Sequence, residues 1–238
     1  MSSSEQADKY ALHAAAREGK LAVVESLLNA DPKSSQRKDA DGRLPIHWAA
    51  SSNQHGIVLL LSQQKTFDPD VEDDSGWTPL MIAASVKDGE AIVDVLLQRG
   101  ADVNQKNSNG QTALHFVSSK NNLEVARKLF AAKPPISSRV RDKRGQYPLH
   151  RAAAVGSTPM VKLLLEHNSP LNASDNAGYT ALHHAVAEGH GDTAIALLKA
   201  GAETDKRDAD GYLALELAPD KEVRKYIERE AENEGIEL

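Results

Sequence analysis

The chain has 238 residues, of which 40% are hydrophobic, 26% are charged and 4% are aromatic. This balance excludes intrinsic disorder, and no apolar run approaches the ~20 residues that a membrane-spanning helix needs. A net charge of −6 argues against nonspecific binding to nucleic acid, and the lack of cysteine excludes disulfides and thiolate metal sites. The N-terminal MSSS shows no secretion signal, so we expect a protein of the cytoplasm and nucleus.

A repeating turn is the clearest pattern along the chain. Its glycines are separated by 34, 34, 35, 33 and 33 residues, and they are Gly42, Gly76, Gly110, Gly145, Gly178 and Gly211. Three residues before each glycine stands an acid or its amide, namely Asp39, Asp73, Asn107, Asp142, Asp175 and Asp208. Self-similarity at such a period is the sequence signature of a repeat protein.

The stretch from residue 73 to 104 shows what each repeat should form. Asp73 and Gly76 suit the first and fourth positions of a type I turn at a hairpin tip. Thr78 can cap a helix and Pro79 suits its first position, so a short helix is predicted there. A second amphipathic helix then runs to Gly100, which can end it in a left-handed conformation. Such a unit must stack on its neighbours to bury both helices.

A block resembling Thr-Pro-Leu-His follows each turn. It reads LPIH at 44–47, TPLM at 78–81, TALH at 112–115, YPLH at 147–150, TALH at 180–183 and LALE at 213–216, with an earlier copy, YALH, at 10–13. These copies are the signature of the ankyrin repeat. They predict an all-α repeat protein, a solenoid of seven stacked helix-turn-helix units with β-hairpin tips. We expect one domain, 1–238, with approximate repeats 5–38, 39–72, 73–106, 107–141, 142–174, 175–207 and 208–232 and a tail, 233–238.

The last repeat departs from the pattern, as a terminal repeat with one face in water should. Pro219 interrupts its second helix, and Asp220 can cap a new helix. Val223, Tyr226 and Ile227 are apolar among charged neighbours in that helix. We expect the acidic tail, residues 228–238, to be frayed.

Histidine is the residue type that most invites a catalytic or metal-binding interpretation. Five of the nine histidines end the repeated block, namely His13, His47, His115, His150 and His183. In ankyrin repeats this imidazole ties the helix start to the hairpin backbone, and positions ~34 residues apart in a stack cannot share one metal. No phosphate-binding glycine loop or nucleophile elbow is present. We therefore expect neither an enzyme nor a bound metal or cofactor.

Positions that stacking does not require are the candidates for binding a protein partner. They lie at the tips, after the turn glycine, after the repeated histidine and in the two places after the alanine pair of the first helix. They include Trp, Tyr and Arg, which often anchor interfaces. The candidates are Asp41, Arg43, Trp48, Asp74, Trp77, Gln111, Phe116, Lys120, Lys143, Arg144, Arg151, Tyr179 and His184. The tips change from acidic (Asp41, Asp74) to basic (Lys143, Arg144), which would orient a partner of the opposite order.

Two pairs of these candidate residues carry further expectations. Trp48 and Trp77 have an alternative role, in which each only covers its own helix. Arg43 and Lys120 occupy positions that the stack does not need. Charge reversal at either one is therefore expected to weaken partner binding without unfolding the protein.

Several local runs are more specific than the repeat itself, namely RLPIHWAA, DDSGWTPLMIAAS, LHFVSSKN and LHRAAAVG. In these runs the chain resembles the gankyrin family, the ankyrin-repeat chaperones of proteasome assembly, in a fungal version. The resemblance implies that a concave face binds the C-terminal domain of the third ATPase of the regulatory-particle base. It also implies a role in base assembly and in docking on the core particle. The contacts implied are basic through Arg43 and Lys120, and acidic and aromatic through Asp41, Asp74 and Trp77.

One departure from the family limits what the resemblance implies. Animal members carry an L-x-C-x-E motif in the sixth repeat, whereas the chain from Leu182 onward reads LHHAVAEG, so retinoblastoma-type binding is not expected. The alternative function is a generic ankyrin adaptor or inhibitor of a kinase or transcription factor. Both functions predict a protein partner, no nucleic acid, no membrane, and a chain that is monomeric when free.

Overall fold

The computed structural model describes residues 9–238, so the start of the predicted first repeat, residues 5–8, lies outside the described part. Over residues 9–238 the chain forms 13 α-helices and two short 3₁₀ helices, Pro32–Gln36 and Ala214–Leu217. The α-helices are α1 Ala11–Glu18, α2 Leu21–Ala30, α3 Pro45–Ser51, α4 His55–Ser62, α5 Pro79–Ser85, α6 Glu90–Gln98, α7 Ala113–Lys120, α8 Leu123–Ala131, α9 Pro148–Ala154, α10 Thr158–Glu166, α11 Ala181–Ala187, α12 Gly191–Lys199 and α13 Lys221–Asn233. None of the helices in this part of the chain combines the length and the apolar content needed to cross a bilayer.

The chain divides into two compact units. Among the described residues, the first comprises 9–108 with Ala131–Pro135, and the second comprises Asn109–Phe130 with Ile136–Leu238. In the first unit, α1, α3 and α5 pack in sequence as one layer, and α2, α4 and α6 form another. In the second unit, α7, α9, α11 and the 3₁₀ helix Ala214–Leu217 pack in sequence, and α10, α12 and α13 do the same. Each unit therefore stacks helix pairs, as the repeat pattern predicts.

The helices begin at the capping residues that the sequence predicts. The Thr78 hydroxyl accepts a hydrogen bond from the Met81 N–H at 3.3 Å, and Pro79 is the first residue of α5. The Asp220 carboxylate accepts from the N–H of Glu222 and of Val223 at 2.9 and 2.8 Å, which starts α13. Such caps satisfy N–H groups that have no partner within the helix.

The interior is built from small and branched aliphatic side chains. The alanine pairs that end the first helices, such as Ala49 and Ala50 of α3, are fully buried, as are Leu149 of α9 and Leu164 of α10. Alanine keeps the helix surface narrow, so the helix in the next repeat can approach closely. Each buried leucine contributes ~1.5–3 kcal/mol through removal of apolar surface from water.

The repeated histidines have the structural role that the sequence predicts. Their Nδ1 atoms accept the backbone N–H three residues earlier, from Leu44, Thr112, Tyr147 and Thr180 at 3.0 to 3.3 Å. Their Nε2 atoms donate to a backbone carbonyl 23 to 31 residues later, His13 to Arg43, His47 to Val71, His115 to Gln146, His150 to Ala173 and His183 to Tyr212, at 3.0 to 3.3 Å. Burial lowers the pKa of His115 and of His150 to about 4, so both are neutral near pH 7.

The tips are tight turns and not ladders of β-strands. The Gly76 N–H donates to the Asp73 carbonyl at 2.9 Å, and the Asp73 N–H donates to the Trp77 carbonyl at 3.0 Å. Within residues 9–238 a single isolated antiparallel bridge occurs, between Arg207 and Leu213. The predicted hairpins are therefore reduced to their turns.

The end of the chain is more ordered than the sequence suggests. Helix α13 continues to Asn233, and its Ile227 and Ala231 are fully buried against α12. The Glu234 carboxylate also pairs with the Lys199 ammonium at 2.6 Å. The expectation of a frayed tail was wrong over residues 228–233, because Ala231 extends the apolar face of Ile227 by one helical turn.

Candidate functional site

The candidate site residues lie on what we call the tip face of each unit. It is formed by the tips that belong to that unit (residues 39–43, 73–77, 107–111, 142–146, 175–179 and 208–212) and the adjoining residues of the first helices. Each tip aspartate uses its Oδ1 atom within its own turn. That oxygen accepts the backbone N–H groups two and four residues later at 2.8 to 3.0 Å, and the residues concerned are Asp39, Asp73, Asp142, Asp175 and Asp208. The second oxygen, Oδ2, is left to bind a side chain on the tip face.

Trp48 is held in place by such a bond in the first unit. Its indole Nε1–H donates to Asp39 Oδ2 at 2.7 Å. The guanidinium groups of Arg17 and Arg43 lie 5.6 and 5.3 Å from its ring centre, within range of cation–π attraction. Trp48 therefore does more than cover its own helix, because it joins the tip to two cationic side chains.

Arg43 belongs to the stack as well as to the tip face. Its Nε donates to Asp73 Oδ2 of the next tip at 3.0 Å, with the two side chains 30% and 3% exposed. Removing Arg43 would leave a buried carboxylate oxygen without its donor, which is costly. This bond contradicts the premise that the stack does not need Arg43, and we therefore expect charge reversal at Arg43 to lower stability. The sequence places Arg43 at a tip, but does not show that its side chain reaches the next tip.

The acidic candidates of the first unit face solvent. Asp41 and Asp74 are exposed, and the Asp74 N–H joins the two tips by donating to the Asp41 carbonyl at 3.0 Å. Trp77 is half-buried. A pocket of about 270 Å³ is lined by Tyr10, His13, Ala14, Arg17, Asp39, Ala40, Asp41 and Trp48. It offers both an aromatic wall and carboxylates to a partner.

In the second unit, four candidates line one polar pocket. Its volume is about 210 Å³, and its walls are Asn109, Gln111, Asp142, Lys143, Arg144 and Arg151. Arg151 Nη2 donates to Asp142 Oδ2 at 3.0 Å, and Gln111 Nε2 approaches the same oxygen at 3.5 Å. Burial alone would raise the pKa of Asp142, but the Gln146 N–H and the Arg151 guanidinium hold it below its usual value. The pocket thus carries three cations against one carboxylate.

Tyr179 and His184 form an aromatic pair farther along the second unit. Their ring centres are 5.4 Å apart, and His184 Nε2 bonds to Asp175 Oδ2 at 2.9 Å. Gln146 Nε2 donates to the same oxygen at 3.1 Å. Burial alone would raise the pKa of Asp175, but the bonds from Gln146 and His184 lower it below its usual value.

The remaining candidates lie on α7. Lys120 is exposed at the C-terminal end of this helix, and Asn121 beyond it has a left-handed φ of 56°. Phe116 is half-buried one turn earlier. Lys120 thus offers its charge to solvent, in contrast to Arg43, whose guanidinium is bonded to a buried carboxylate.

The sequence analysis did not identify the tip aspartates, or two side chains of the first unit, as parts of the candidate site. Tyr10 and Arg17 line the pocket there, because the first repeat contributes to the tip face even without a predicted tip of its own. The bonds to Oδ2 follow a regular spacing of nine residues, Asp39 to Trp48, Asp142 to Arg151 and Asp175 to His184. That spacing is visible in the sequence and could have revealed the network. In the described part, no three His, Asp or Glu side chains converge as a metal site.

Comparison with known proteins identifies the family. Three copies of the ankyrin-repeats model match residues 2–73, 60–139 and 134–208. A Saccharomyces cerevisiae protein described as probable 26S proteasome regulatory subunit p28 is 41% identical over 176 residues, which is 72% of this chain and 76% of that protein. The chain belongs to the gankyrin (p28) family of ankyrin-repeat proteins. The predicted ankyrin fold and the resemblance to this family are thereby confirmed.

Two other similarities agree with the ankyrin-repeat fold. An ankyrin repeat-containing protein of Schizosaccharomyces pombe is 39% identical over 159 residues, covering 65% of this chain and 67% of that protein. The crystal structure of the ankyrin repeat domain of Bcl-3, a member of the IkappaB protein family, superposes with a TM-score of 0.71 at 26% identity. It covers 91% of this chain and 97% of that domain.

Proposed function

We propose that this gankyrin-family chain is a protein-binding chaperone of proteasome assembly that acts in the cytoplasm and nucleus and is not an enzyme. Its partner would be the C-terminal domain of the third ATPase of the regulatory-particle base. The observation that carries the proposal is the 41% identity to the yeast protein described as a proteasome regulatory subunit, p28. That relationship supports a proteasome-related, protein-binding role, and the contacts implied by the family resemblance supply the finer assignment.

The tip face has the physical properties of a binding surface. Trp48, Arg151 and His184 are each bonded to a carboxylate oxygen of a tip aspartate, so their orientation is set before a partner arrives. Side chains that are already ordered lose little conformational entropy on binding. A partner would therefore meet a prepared surface, which suits recognition of a folded domain.

The charges differ between the tip faces of the two units, and together they favour a partner with both signs of charge. The first unit presents Asp41 and Asp74, and the second presents Lys120, Lys143 and Arg144, all of them exposed. The whole chain carries a net charge of −6, so the positive charge of the second unit is local. Such patterning sets specificity and association rate more than affinity. We expect basic groups of the ATPase domain on the first unit and acidic groups on the second.

The proposed mechanism is steric. A chain bound to the C-terminal domain of the ATPase would hinder early docking of the proteolytic core particle, and the mature contact would displace it. Release is then a competition between two protein surfaces, with no chemical step. A monomeric chain without metal or cofactor suffices for this role.

Affinity capture of the chain from fungal cell extract, followed by mass spectrometry, tests the proposal. We expect the third ATPase and free base complexes in the captured fraction, and depletion of the chain from core-docked proteasomes. Adding purified core particle to a chaperone-bound base should release the chain. Stoichiometric presence in finished proteasomes would refute the steric mechanism.

The similarity to the Bcl-3 ankyrin domain supports a second candidate function. An adaptor or inhibitor of a transcription factor or kinase would capture that protein in place of base subunits. The same experiment separates the two functions.

A further inference from the structure

The last tip, residues 208–212, lacks a donor that the earlier tip aspartates have. In those tips Oδ2 receives a side-chain N–H, from Trp48 to Asp39, Arg43 to Asp73, Arg151 to Asp142, and His184 with Gln146 to Asp175. Asp208 closes its turn in the same way, but its Oδ2 has no hydrogen-bond partner, although the residue is only 7% exposed. A buried carboxylate oxygen without a donor is unfavourable.

The missing donor has a cause in the sequence. The donors come from two positions, the residue nine places after the tip aspartate and the residue after the glycine of the preceding tip. For Asp208 these positions hold Leu217, which has no polar group, and Tyr179, which has no N–H on its side chain.

The last tip is also open on the side that other tips use for stacking. A Cβ atom at Gly178 would lie 2.7 Å from the Ala209 nitrogen of the next tip, whereas at Gly211 nothing lies within 4 Å. Carbonyls of the earlier tips accept an N–H from the tip that follows, for example Ala177 from Ala209 at 2.9 Å. Within residues 9–238 no further tip follows residue 212, and Tyr212 is 52% exposed. A partner could therefore approach here.

The chemistry of the last tip suits a guanidinium group. Asp208 and Asp210 supply carboxylates, and the exposed ring of Tyr212 supplies an aromatic face for a planar cation. The cation of the chain nearest to the tip in sequence, Arg207, donates instead to the Gly211 carbonyl at 2.6 Å and lies 3.9 Å from Glu216. In two earlier tips the corresponding Oδ2 atom accepts a hydrogen bond from an arginine, Arg43 in one and Arg151 in the other.

We propose that the last tip is a docking site for an arginine side chain of a protein partner. The guanidinium donates to the carboxylates of Asp208 and Asp210 and packs on Tyr212. Its bond to Asp208 is of the same kind as the bond that Arg151 makes to Asp142 within the chain. Because Oδ2 of Asp208 is buried in the free chain, we expect the side chains that cover it to move when the arginine enters. The inference rests on the protein-binding role proposed above, but not on the identity of the partner.

Titration of the isotope-labelled full chain with N-acetyl-arginine amide, followed by NMR, tests this site. We expect saturable shifts of the backbone amides of residues 208–213, and weaker binding of N-acetyl-lysine amide. Asp210→Asn should weaken arginine binding by about tenfold or more, since a charge-assisted bond is lost. The matched control is Asp41→Asn, which removes the exposed carboxylate at the same position of an earlier tip and should leave binding unchanged.

A second variant fills the site from within. Leu217→Arg places a guanidinium nine residues after Asp208, as Arg151 is placed after Asp142. It should raise the urea concentration at the midpoint of unfolding and abolish the arginine-induced shifts. No saturable shift at residues 208–213, equal binding of lysine and arginine, or full binding by Asp210→Asn would each overturn the proposal. Because the probe is a small molecule, these results do not depend on whether the chain binds the ATPase.

Discussion

The bond between Arg43 and Asp73 predicts that substitutions at Arg43 separate stability from partner binding. In Arg43→Glu, Asp73 Oδ2 loses a donor at 3.0 Å and faces a second carboxylate, while its own side chain stays 3% exposed. A buried acceptor without its donor costs ~1–3 kcal/mol. Repulsion between the carboxylates adds about 1 kcal/mol more, because the Arg43 position is partly in water. The expected loss in free energy of unfolding is therefore about 2–4 kcal/mol.

The chain itself suggests the matched control. At the equivalent position of a later tip, Gln146 Nε2 donates to Asp175 Oδ2 at 3.1 Å. Arg43→Gln should therefore keep a donor for Asp73 and cost less than about 1 kcal/mol, while removing the positive charge from the tip face. Lys120→Glu, at an exposed site, should change stability by no more than about 0.5 kcal/mol.

Urea unfolding of wild type and the three variants, followed by circular dichroism, measures these differences. We expect Arg43→Glu to unfold at a clearly lower urea concentration than Arg43→Gln. Equal stability of Arg43→Glu and wild type would refute the structural role of Arg43. Equal losses in Arg43→Gln and Arg43→Glu would show that charge, and not the hydrogen bond, holds this contact.

Two further predictions concern stability. The pKa of buried His115 and His150 is about 4 in the folded chain and 6.5 when unfolded, so their stabilising contribution is complete above pH 6.5 and is lost as pH falls toward 4. Each histidine should then reduce the free energy of unfolding by about 1 kcal/mol per pH unit in that range, and a flat urea midpoint between pH 7.5 and 5 would contradict this. Trp48→Phe keeps an aromatic ring but removes the donor to Asp39 Oδ2, so it should lower the free energy of unfolding by ~1–2 kcal/mol in the same assay. An unchanged midpoint in this variant would mean that the indole N–H bond is not needed.

The parts of the fold that depend on local sequence could be predicted. The period located the tips, and Thr78, Pro79 and Asp220 marked helix starts that the structure confirms. The role of the repeated histidines was predictable for the same reason, since they bond to backbone atoms at the helix start and beside the next tip.

The parts that depend on side-chain reach between repeats could not be predicted. The Arg43 to Asp73 bond joins residues 30 positions apart, and only the packing of the two tips brings the atoms to 3.0 Å. The order of the C-terminal helix likewise depends on how Ala231 packs against α12. The tip-face candidates stay predictions as binding residues, although the structure shows which of them also hold the fold.

Binding of the full chain to the isolated C-terminal domain of the third regulatory-particle ATPase, measured by calorimetry, tests the central claim most directly. We expect one-to-one binding by wild type. Lys120→Glu should lose ~2–5 kcal/mol of binding free energy, because a pair between Lys120 and a carboxylate of the ATPase domain would be desolvated in the complex. Lys162→Glu, which reverses an exposed lysine on α10 away from the tips, is the control and should bind like wild type. Failure of wild type to bind this domain, or equal weakening in both variants, would contradict the account.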